Sequence, residues 1–458
     1  MNLRFLASCL APLLILPSLA AQETRTVAEP VIPPVCATLD AQLVTAGHTL
    51  APADESRLDT ARIQQAIDHC AKGHGVLLRV HGPDNAFLSG PLELRAGITL
   101  IVGRGVTLFA SRDPSLYAVA PGSCGIVWHG AGPRGCRPLI SVLHAPDSAV
   151  MGDGTIDGRG GEKMLGSQYS WWELAEQARP GGGQQCFRLI VAEYSNSFTL
   201  YRITLKNSPN FHVVYGHGAG FTVWGLKIDT PKRLARNTDG VDPGPDVRNV
   251  TITHSFIRTG DDNVAIKGGV PGGVTNVTVS DNHFYWGHGM SIGSETNGGV
   301  SRIRVSNLSL DGPDNGIRIK SNGSRGGLTQ DVAYNNVCIR NSPNPITLDT
   351  AYSAAGTLKG NSPPSMRDVV LRNVRISSGG KFTFNGYDHT HRVAVTLNGV
   401  QITDDASYKY EVRHANITLG PEPANLQLPA GEDSTIKGKP EKGHPASCAQ
   451  MFVPFPQE

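Results

Sequence analysis

Four short motifs rich in ionisable residues lie in the middle of this 458-residue chain: Asn237-Thr-Asp-Gly240, Gly260-Asp-Asp262, Gly287-His-Gly289 and Arg318-Ile-Lys320. Together they offer three carboxylates, an imidazole, a guanidinium and an ammonium. Two carboxylates held close together repel, so the pKa of one rises and that group can keep a proton near neutral pH. A protonated carboxyl beside an ionised one suits general acid–base catalysis. The set predicts such chemistry if the fold brings the four motifs together.

The local spacing within the motifs adds detail. Asp261 and Asp262 would point to opposite faces of a regular strand, but Gly260 allows a bulge that turns both toward one cleft. Arg318 and Lys320 are two residues apart and share a strand face, which suits a substrate that is itself a carboxylate. For the histidine motif, we expect its two flanking glycines to let a ligand approach the backbone closely.

Each motif taken singly has an ordinary explanation. Asn-Thr-Asp-Gly is typical of a turn, Gly-Asp-Asp could be a calcium corner, and Arg-Ile-Lys is common at a solvated strand edge. A lone histidine such as His288 is more often structural. All four motifs in this order and at this spacing favour a catalytic site over these separate explanations.

The segments that must position the motifs repeat one pattern, an alternating strand followed by a polar corner. The pattern occurs at 197–205, 220–228, 249–257, 276–284, 301–310, 330–339 and 367–376, and starts at 220, 249, 276 and 301 are 29, 27 and 25 residues apart. Alternation of period two predicts strands with one buried face. The spacing is too short for a propeller blade, and few helical stretches lie between the strands.

These observations predict an all-β fold, a parallel β-helix with two to four short strands in each coil. Equivalent positions of successive coils would then stack about 4.8 Å apart, which would gather the four motifs into one patch. Ile63, Ala66, Ile67 and Cys70 form one apolar helical face within 59–71, which predicts a short N-terminal capping helix. We expect the catalytic domain to span residues 21–418. Residues 419–458, rich in Pro, Gly and Lys, are predicted to form a loosely ordered tail, tied down by Cys448.

The N-terminus has the pattern of a signal peptide over residues 1–20. A basic start precedes the apolar run Phe5–Leu19, and Ser18-Leu19-Ala20 is a small-x-small cleavage pattern. A membrane anchor is the alternative, but the run is short and contains Pro12 and Pro17. We therefore expect a secreted, extracellular protein without a membrane span. The formal charge of +2 and the lack of a basic block argue against a nucleic-acid partner.

Export implies an oxidising compartment, in which cysteines pair. Seven cysteines remain beyond the signal peptide. Cys124 and Cys136 bracket a loop rich in Gly and Pro, and Cys36 with Cys70 is the next pair we expect. The partners of Cys186, Cys338 and Cys448 stay open, and an odd count leaves at least one thiol unpaired. No Cys-x-x-Cys spacing occurs, so a zinc site is not expected.

The motifs and their surroundings resemble glycoside hydrolase family 28, the polygalacturonases, and within it the secreted bacterial endopolygalacturonases. The resemblance covers roughly residues 25–415. Its longest stretches are 208–214, 235–240, 259–267, 287–295 and 345–352. It implies a right-handed, single-stranded parallel β-helix of the pectin-lyase type. One departure is Asn263, where many family members have Cys.

The resemblance implies a role for each motif residue in hydrolysis of polygalacturonate or pectin, with no metal or other cofactor. Asp261 matches the general acid, and Asp239 with Asp262 matches the pair that holds the attacking water. His288 matches the histidine that supports protonation of the acid. The implied substrate ligands are Arg318, Lys320, Asn237 and Tyr352. A monomer acting on its polysaccharide substrate is expected.

Three alternatives stay open on the sequence alone. A pectate lyase would need Ca²⁺ and an Arg base. A non-catalytic β-helix, such as an adhesin, would need no convergent acid pair. Within the family, exo-polygalacturonase action or hydrolysis of another pectin backbone is harder to exclude. No long insertion interrupts 237–352, which favours an open groove and endo attack. Trp171, Trp172 and the loop at 180–183 could line a rim or equally be core and turn.

Overall fold

In the computed structural model, which describes residues 25–45, 47–353, 360–443 and 446–457, the chain winds into a right-handed parallel β-helix. The predicted signal peptide lies outside the described residues. One wall of the helix is an eleven-stranded parallel sheet whose spatial order is also the chain order. Its strands β1 to β11 are Leu92–Glu93, Ile140–Leu143, Ile190–Glu193, Val213–Gly216, Val241–Pro243, Val264–Ile266, Met290–Ile292, Asn315–Lys320, Asn344–Asp349, Gly380–Asn385 and Tyr408–Arg413.

The remaining walls form one connected sheet of 21 strands within the described ranges. They are Val35–Asp40, His74–Arg79, Ala86–Ser89, Ile98–Val102, Thr107–Ala110, Ala149–Met151, Thr155–Asp157, Thr199–Tyr201, Thr204–Lys206, Gly218–Ala219, Thr222–Trp224, Lys227–Asp229, Val247–Thr253, Phe256–Arg258, Val274–Phe284, Val300–Asp311, Leu328–Arg340, Ser365–Ile376, Val393–Ile402, Ala415–Leu419 and Thr435–Lys437. A two-residue antiparallel pair, Val127–Trp128 with Gly183–Gln184, lies outside both sheets.

Aliphatic side chains at equivalent positions of successive coils stack on one another and fill the interior of the β-helix. Val264, Met290, Ile317 and Ile346 are direct register partners from one coil to the next, and none is exposed to solvent. Each buried aliphatic side chain of this size contributes about 1.5–3 kcal/mol. The strict register fixes which residues of each coil face inward and, by alternation, which face outward. The outward face of the eleven-stranded sheet is where the ionisable motifs lie.

Within the described ranges, three helices accompany the coils: α1 at Thr60–His69, α2 at Pro114–Tyr117 and α3 at Trp171–Gln177. Two 3-10 turns occur at Pro52–Ser56 and Ala449–Met451. The predicted capping helix is confirmed as α1, whose Ile63 and Ile67 are buried in the main core. None of the helices in the described ranges has the length and apolar character needed to cross a bilayer.

Three disulfides form within the described residues. The predicted pairs Cys36–Cys70 and Cys124–Cys136 are confirmed. A third bridge joins Cys338 to Cys448, and Cys186 is a buried free thiol.

The segment after residue 419 is more ordered than expected, although the domain boundary there stays a prediction. Thr435–Lys437 adds a parallel strand beside Ala415–Leu419. Beyond Cys448, the ring of Phe455 lies 3.9 Å from the guanidinium carbon of Arg258 and 5.3 Å from the ring of Tyr285. The tail therefore packs against the outer surface of the long strands rather than hanging free.

Candidate active site

The β-helix brings the four motifs together on neighbouring coils. Asp239 lies just before β5, Asp261 and Asp262 just before β6, and His288 just before β7, while Arg318 and Lys320 belong to β8. Strands β5 to β8 are consecutive neighbours in the sheet. The stacking predicted from the spacing of the motifs is therefore what the fold contains.

Asp261 and His288 form a close pair. The Nδ1 atom of His288 lies 3.0 Å from Oδ1 of Asp261, and the His288 backbone N–H donates to the Asp261 carbonyl at 2.8 Å. The other carboxylate oxygen of Asp261 accepts from the backbone N–H of Asn237 at 3.2 Å. Both partners of the pair are thus held by main-chain contacts as well as by each other.

This pairing determines the protonation of both groups. Burial would raise the pKa of Asp261, but the hydrogen bond and charge of His288 lower it well below its usual range. Burial would lower the pKa of His288, but Asp261 raises it above its usual value. Neither member of the adjacent Asp261–Asp262 pair has the raised pKa predicted for one of two close carboxylates, because cations face both. In the ligand-free pair the proton belongs to His288.

Asp262 is enclosed by donors. Its Oδ1 accepts from the Ser291 hydroxyl at 2.6 Å and lies 3.3 Å from Nη1 of Arg318, and its Oδ2 accepts from Nζ of Lys320 at 2.6 Å. The residue is 1% exposed. Burial opposes ionisation, but Lys320 and Arg318 lower the pKa of Asp262 below its usual value. Asp262 is consequently a carboxylate held ionised inside the protein.

Sequence reasoning missed the second ion-pair system, which joins Asp239 and Asp242 through Lys267. The ammonium of Lys267 donates to Oδ2 of Asp239 at 2.9 Å and to Oδ2 of Asp242 at 2.7 Å. The Oδ1 atom of each aspartate is buried and has no hydrogen-bond partner among the described residues. A signal was present, since Lys267 directly follows strand β6 and Lys320 ends β8, each after an isoleucine.

Burial dominates the titration of these two aspartates. It raises the pKa of Asp239 well above its usual range, against the lowering effect of Lys267, and the neighbouring carboxylates raise it further. The pKa of Asp242 is raised to about 6 for the same reasons. The site thus holds carboxyl groups of two kinds, one kind ionised by cations and the other poised to exchange a proton.

The glycines around His288 are required by the packing of the coils, and their predicted role in the approach of a ligand stays a prediction. Gly289 has φ +78°, and a Cβ there would overlap the carbonyl oxygen of Asn315 in the next coil. A Cβ on Gly287 would lie 2.8 Å from the Asp261 carbonyl oxygen in the preceding coil. Only glycine lets the three coils approach this closely. The Asn263 side chain supports the same turn, because its Oδ1 accepts from the Gly289 N–H at 3.0 Å.

The remaining predicted site residues line an open cleft of about 700 Å³ above the cluster. Asn237 and Tyr352 lie on its wall with Asp261, His288 and Arg318. The Tyr352 ring lies 5.3 Å from the guanidinium carbon of Arg318 and 5.2 Å from Nζ of Lys320. Arg318 thus faces the cleft, whereas Lys320 is 5% exposed and directed at Asp262.

The rim of the cleft is formed by charged side chains from two segments of the chain. Glu176 and Arg179 come from the end of α3, and Lys232 and Arg236 come from the segment before Asn237. Trp171 and Trp172, which could have lined this rim, are instead buried core residues. The indole N–H of Trp172 donates to the carbonyl of Ser208 at 2.9 Å.

One carboxylate oxygen from each of Asp261 and Asp262 and a ring nitrogen of His288 lie within 4.8 Å of one another, close enough in geometry to hold a metal ion. The internal hydrogen bonds and cations described above already engage these atoms. The same distance places Asp261 and Asp262 closer than the 6.5–9.5 Å usual between acid and base in inverting glycosidases.

Comparison with known proteins places the chain in a family. The family model described as "Glycosyl hydrolases family 28" matches residues 80–420. An endo-polygalacturonase of Pectobacterium parmentieri is 40% identical, covering 87% of this chain and 93% of the relative. A polygalacturonase of Ralstonia nicotianae is 36% identical over 94% of this chain and 92% of its own length.

The solved structure of a polygalacturonase from Erwinia carotovora ssp. carotovora superposes with a TM-score of 0.78 at 38% identity, covering 86% of this chain and all of that one. An exopolygalacturonase of Yersinia enterocolitica superposes with a TM-score of 0.67 over 85% of this chain and 77% of its own, but at 20% identity it shares the fold alone. The shared coil architecture, the carboxylate cluster and the match over most of the chain show that the protein belongs to glycosyl hydrolase family 28.

Proposed function

We propose that this chain is an endo-polygalacturonase that hydrolyses α-1,4 bonds between galacturonate residues of pectate, with inversion at the anomeric carbon. The observation that carries the proposal is the cluster at the floor of the cleft. Four carboxylates there, Asp239, Asp242, Asp261 and Asp262, are interlocked with three fixed cations and His288. The 40% identity to a relative named endo-polygalacturonase supports the same conclusion.

The acid in this proposal is the Asp261–His288 pair. The pair holds one proton between atoms 3.0 Å apart, and Asp261 faces the cleft. When a glycosidic oxygen replaces water above Asp261, the proton passes from His288 to Asp261 and on to the leaving oxygen. General acid catalysis of this kind contributes about 10²- to 10⁴-fold.

The base is the Asp239–Asp262 pair. The Oδ1 atom of Asp239 has no hydrogen-bond partner among the described residues, so it can accept a hydrogen bond from the attacking water. Its raised pKa makes Asp239 a stronger base than an ordinary aspartate once it is ionised. Asp262, kept ionised by Lys320 and Arg318, orients the same water and balances the positive charge that develops on the sugar ring.

Endo attack requires that sugar residues bind on both sides of the scissile bond. The cleft above Asp261 lies on one side, and a second depression of about 400 Å³, lined by Arg188, Asp242 and Lys267, lies on the other. Depressions on both sides of the catalytic cluster favour cleavage within a chain over removal of single terminal residues. Secretion of the enzyme fits the three disulfides, and action as a monomer belongs to the same proposal.

The test combines three measurements on pectate. The viscosity of the solution should fall early relative to the release of reducing ends, which indicates internal cleavage. NMR of the first-formed reducing ends should show the β anomer. Activity should persist in a chelator without an ultraviolet-absorbing product, which distinguishes hydrolysis from a lyase reaction. Asp261→Asn serves as the matched inactive enzyme, and an α anomer as first product would contradict the assigned roles.

A further inference from the structure

His288 is flanked by a second carboxylate on the side away from Asp261. The Nε2 atom of His288 lies 3.6 Å from Oδ2 of Asp314, while its Nδ1 atom faces Asp261 at 3.0 Å. Asp314 belongs to the short turn between Val300–Asp311 and β8. The imidazole therefore lies between two aspartates, one partly buried at the cleft floor and one half-exposed at its edge.

The position of Asp314 is fixed by its backbone. Its N–H donates to the carbonyl of Gly287, the residue before His288, at 2.7 Å, and its own carbonyl accepts from the Asn344 side chain at 3.0 Å. Its carboxylate is shared, since Oδ1 binds Nζ of Lys232 at 2.8 Å. Lys232 comes from the rim of the cleft, so this ion pair connects the rim to the catalytic histidine.

We propose that Asp314 is a positioning residue for His288, which retains the proton of the Asp261–His288 pair, and that Lys232 weakens this action by competing for the Asp314 carboxylate. The inference rests on the proposed polygalacturonase function and specifies how its acid is kept charged. Asp314 does not contact the reacting atoms. It acts through Nε2 of the imidazole, where a carboxylate stabilises the protonated ring and fixes its orientation.

The charges around His288 determine how substitutions at Asp314 and Lys232 should shift the pH dependence of activity. Among the described residues, the charged groups that face His288 or its partners are Asp239, Asp242, Asp261, Asp262, Asp314, Arg318, Lys320, Lys267 and Lys232. Removing the negative charge of Asp314 makes the proton on the His288 ring easier to lose, so the alkaline limb of the pH–activity profile moves to lower pH. Removing the positive charge of Lys232 leaves Asp314 free for His288, so the same limb moves to higher pH. If Asp314 had a purely structural role, the two substitutions would not shift the alkaline limb in opposite directions.

The experiment measures the pH dependence of kcat on pectate for Asp314→Asn and Lys232→Ala. We expect the alkaline limb to shift by about 0.5 unit in each case, downward for Asp314→Asn and upward for Lys232→Ala, as for one partly exposed charge. Asp314→Asn keeps the shape and the backbone N–H, and Lys232 is 45% exposed, so both variants should fold. Shifts in the same direction, or no shift, would overturn the inference.

The chain contains a matched control in its first coil. Asp40 lies 3.6 Å from a histidine nitrogen, that of His81, and 2.5 Å from a cationic partner, Arg79. Asp40→Asn and Arg79→Ala remove the same charges far from the cluster and should leave the alkaline limb in place.

An NMR titration of the His288 ring in the ligand-free enzyme, assigned with His288→Gln, tests the role of Asp314 independently of the proposed polygalacturonase function. If pectate is not cleaved, the proposed function fails. The ring pKa must still fall in Asp314→Asn and rise in Lys232→Ala for the inference to hold.

Discussion

At the residue scale, Arg318 and Lys320 differ although they lie on one strand face. Lys320 is buried and donates to Asp262 at 2.6 Å, whereas Arg318 reaches the cleft wall beside Tyr352. We expect Arg318→Ala to reduce the preference for pectate over highly methylated pectin, because the lost guanidinium would have paired with a substrate carboxylate. Lys320→Ala should instead lower kcat/KM on both substrates by a similar factor, about 100-fold, since it removes a partner of the catalytic carboxylate.

The measurement is kcat/KM for each variant on substrates of low and high methylation. Equal losses on both substrates in Arg318→Ala would show that this cation, too, only supports Asp262.

Lys267 gives a second prediction at the same scale. Its ammonium is the neutralising partner of two buried aspartates, so Lys267→Met leaves them without a cation. The pKa of Asp239 then rises further, and because the base must be ionised, activity appears only at higher pH: the acidic limb moves upward. Unfolding free energy should fall by about 3–5 kcal/mol, the cost of breaking a buried pair. Lys381→Met, which removes the exposed partner of Glu411, is the control for stability.

Urea unfolding and a pH–rate profile check both effects. An unchanged acidic limb in Lys267→Met would contradict a role for Asp239 as base.

The sequence located the cluster but not its electrostatics. Asp239, Asp261 and Asp262 could be grouped because equivalent coil positions stack. Their pKa directions could not be predicted, since these depend on which cation reaches which oxygen within about 3 Å. Lys267 and Ser291 lay in or next to recognised motifs, yet their partners are 25 to 29 residues away along the chain.

At the element scale, the coils were predictable and the tail was not. Strand alternation repeats every coil and directly reports the buried face. Contacts of the tail are single and non-periodic, such as Phe452 over Arg340 at 4.2 Å and the Tyr285 hydroxyl on the Val453 carbonyl at 3.0 Å. No repeat in the sequence indicates such contacts. The composition of the tail therefore predicted a loosely ordered segment, although the tail packs against the β-helix.

The Cys338–Cys448 bridge tests how much that attachment contributes. It closes a separation of 110 residues, and the chain-entropy model assigns such a loop about 4–5 kcal/mol at most. We expect Cys448→Ser to lower the Tm by several degrees while kcat on pectate at 25 °C stays near that of the wild type, because the bridge lies on the outer strands and not in the cleft. Cys136→Ser, which opens a separation of only 12 residues, is the comparison and should destabilise less. A loss of kcat in folded Cys448→Ser would instead link the tail to catalysis.

At the scale of the whole molecule, the formal charge is only +2, so attraction of a polyanion must come from where the charges lie. Arg179, Lys232, Arg236 and Arg318 line the cleft, against Glu176 and the partly paired catalytic carboxylates. A low-dielectric groove edged by cations concentrates an anionic polymer near the site, and salt screens this effect over about 10 Å at 0.1 M. Raising the ionic strength from 0.02 to about 0.5 M should therefore increase KM for pectate several-fold.

The same change should alter kcat little, because the buried ion pairs around Asp262 and Lys267 are poorly screened. Highly methylated pectin, which carries few charges, is the matched substrate and should show a much smaller rise in KM. Initial rates on both polymers across a salt series test whether KM rises more for pectate than for methylated pectin. A KM for pectate that does not respond to salt would mean that the rim cations are neutralised by their own neighbours and that recognition is confined to contacts at the cleft floor.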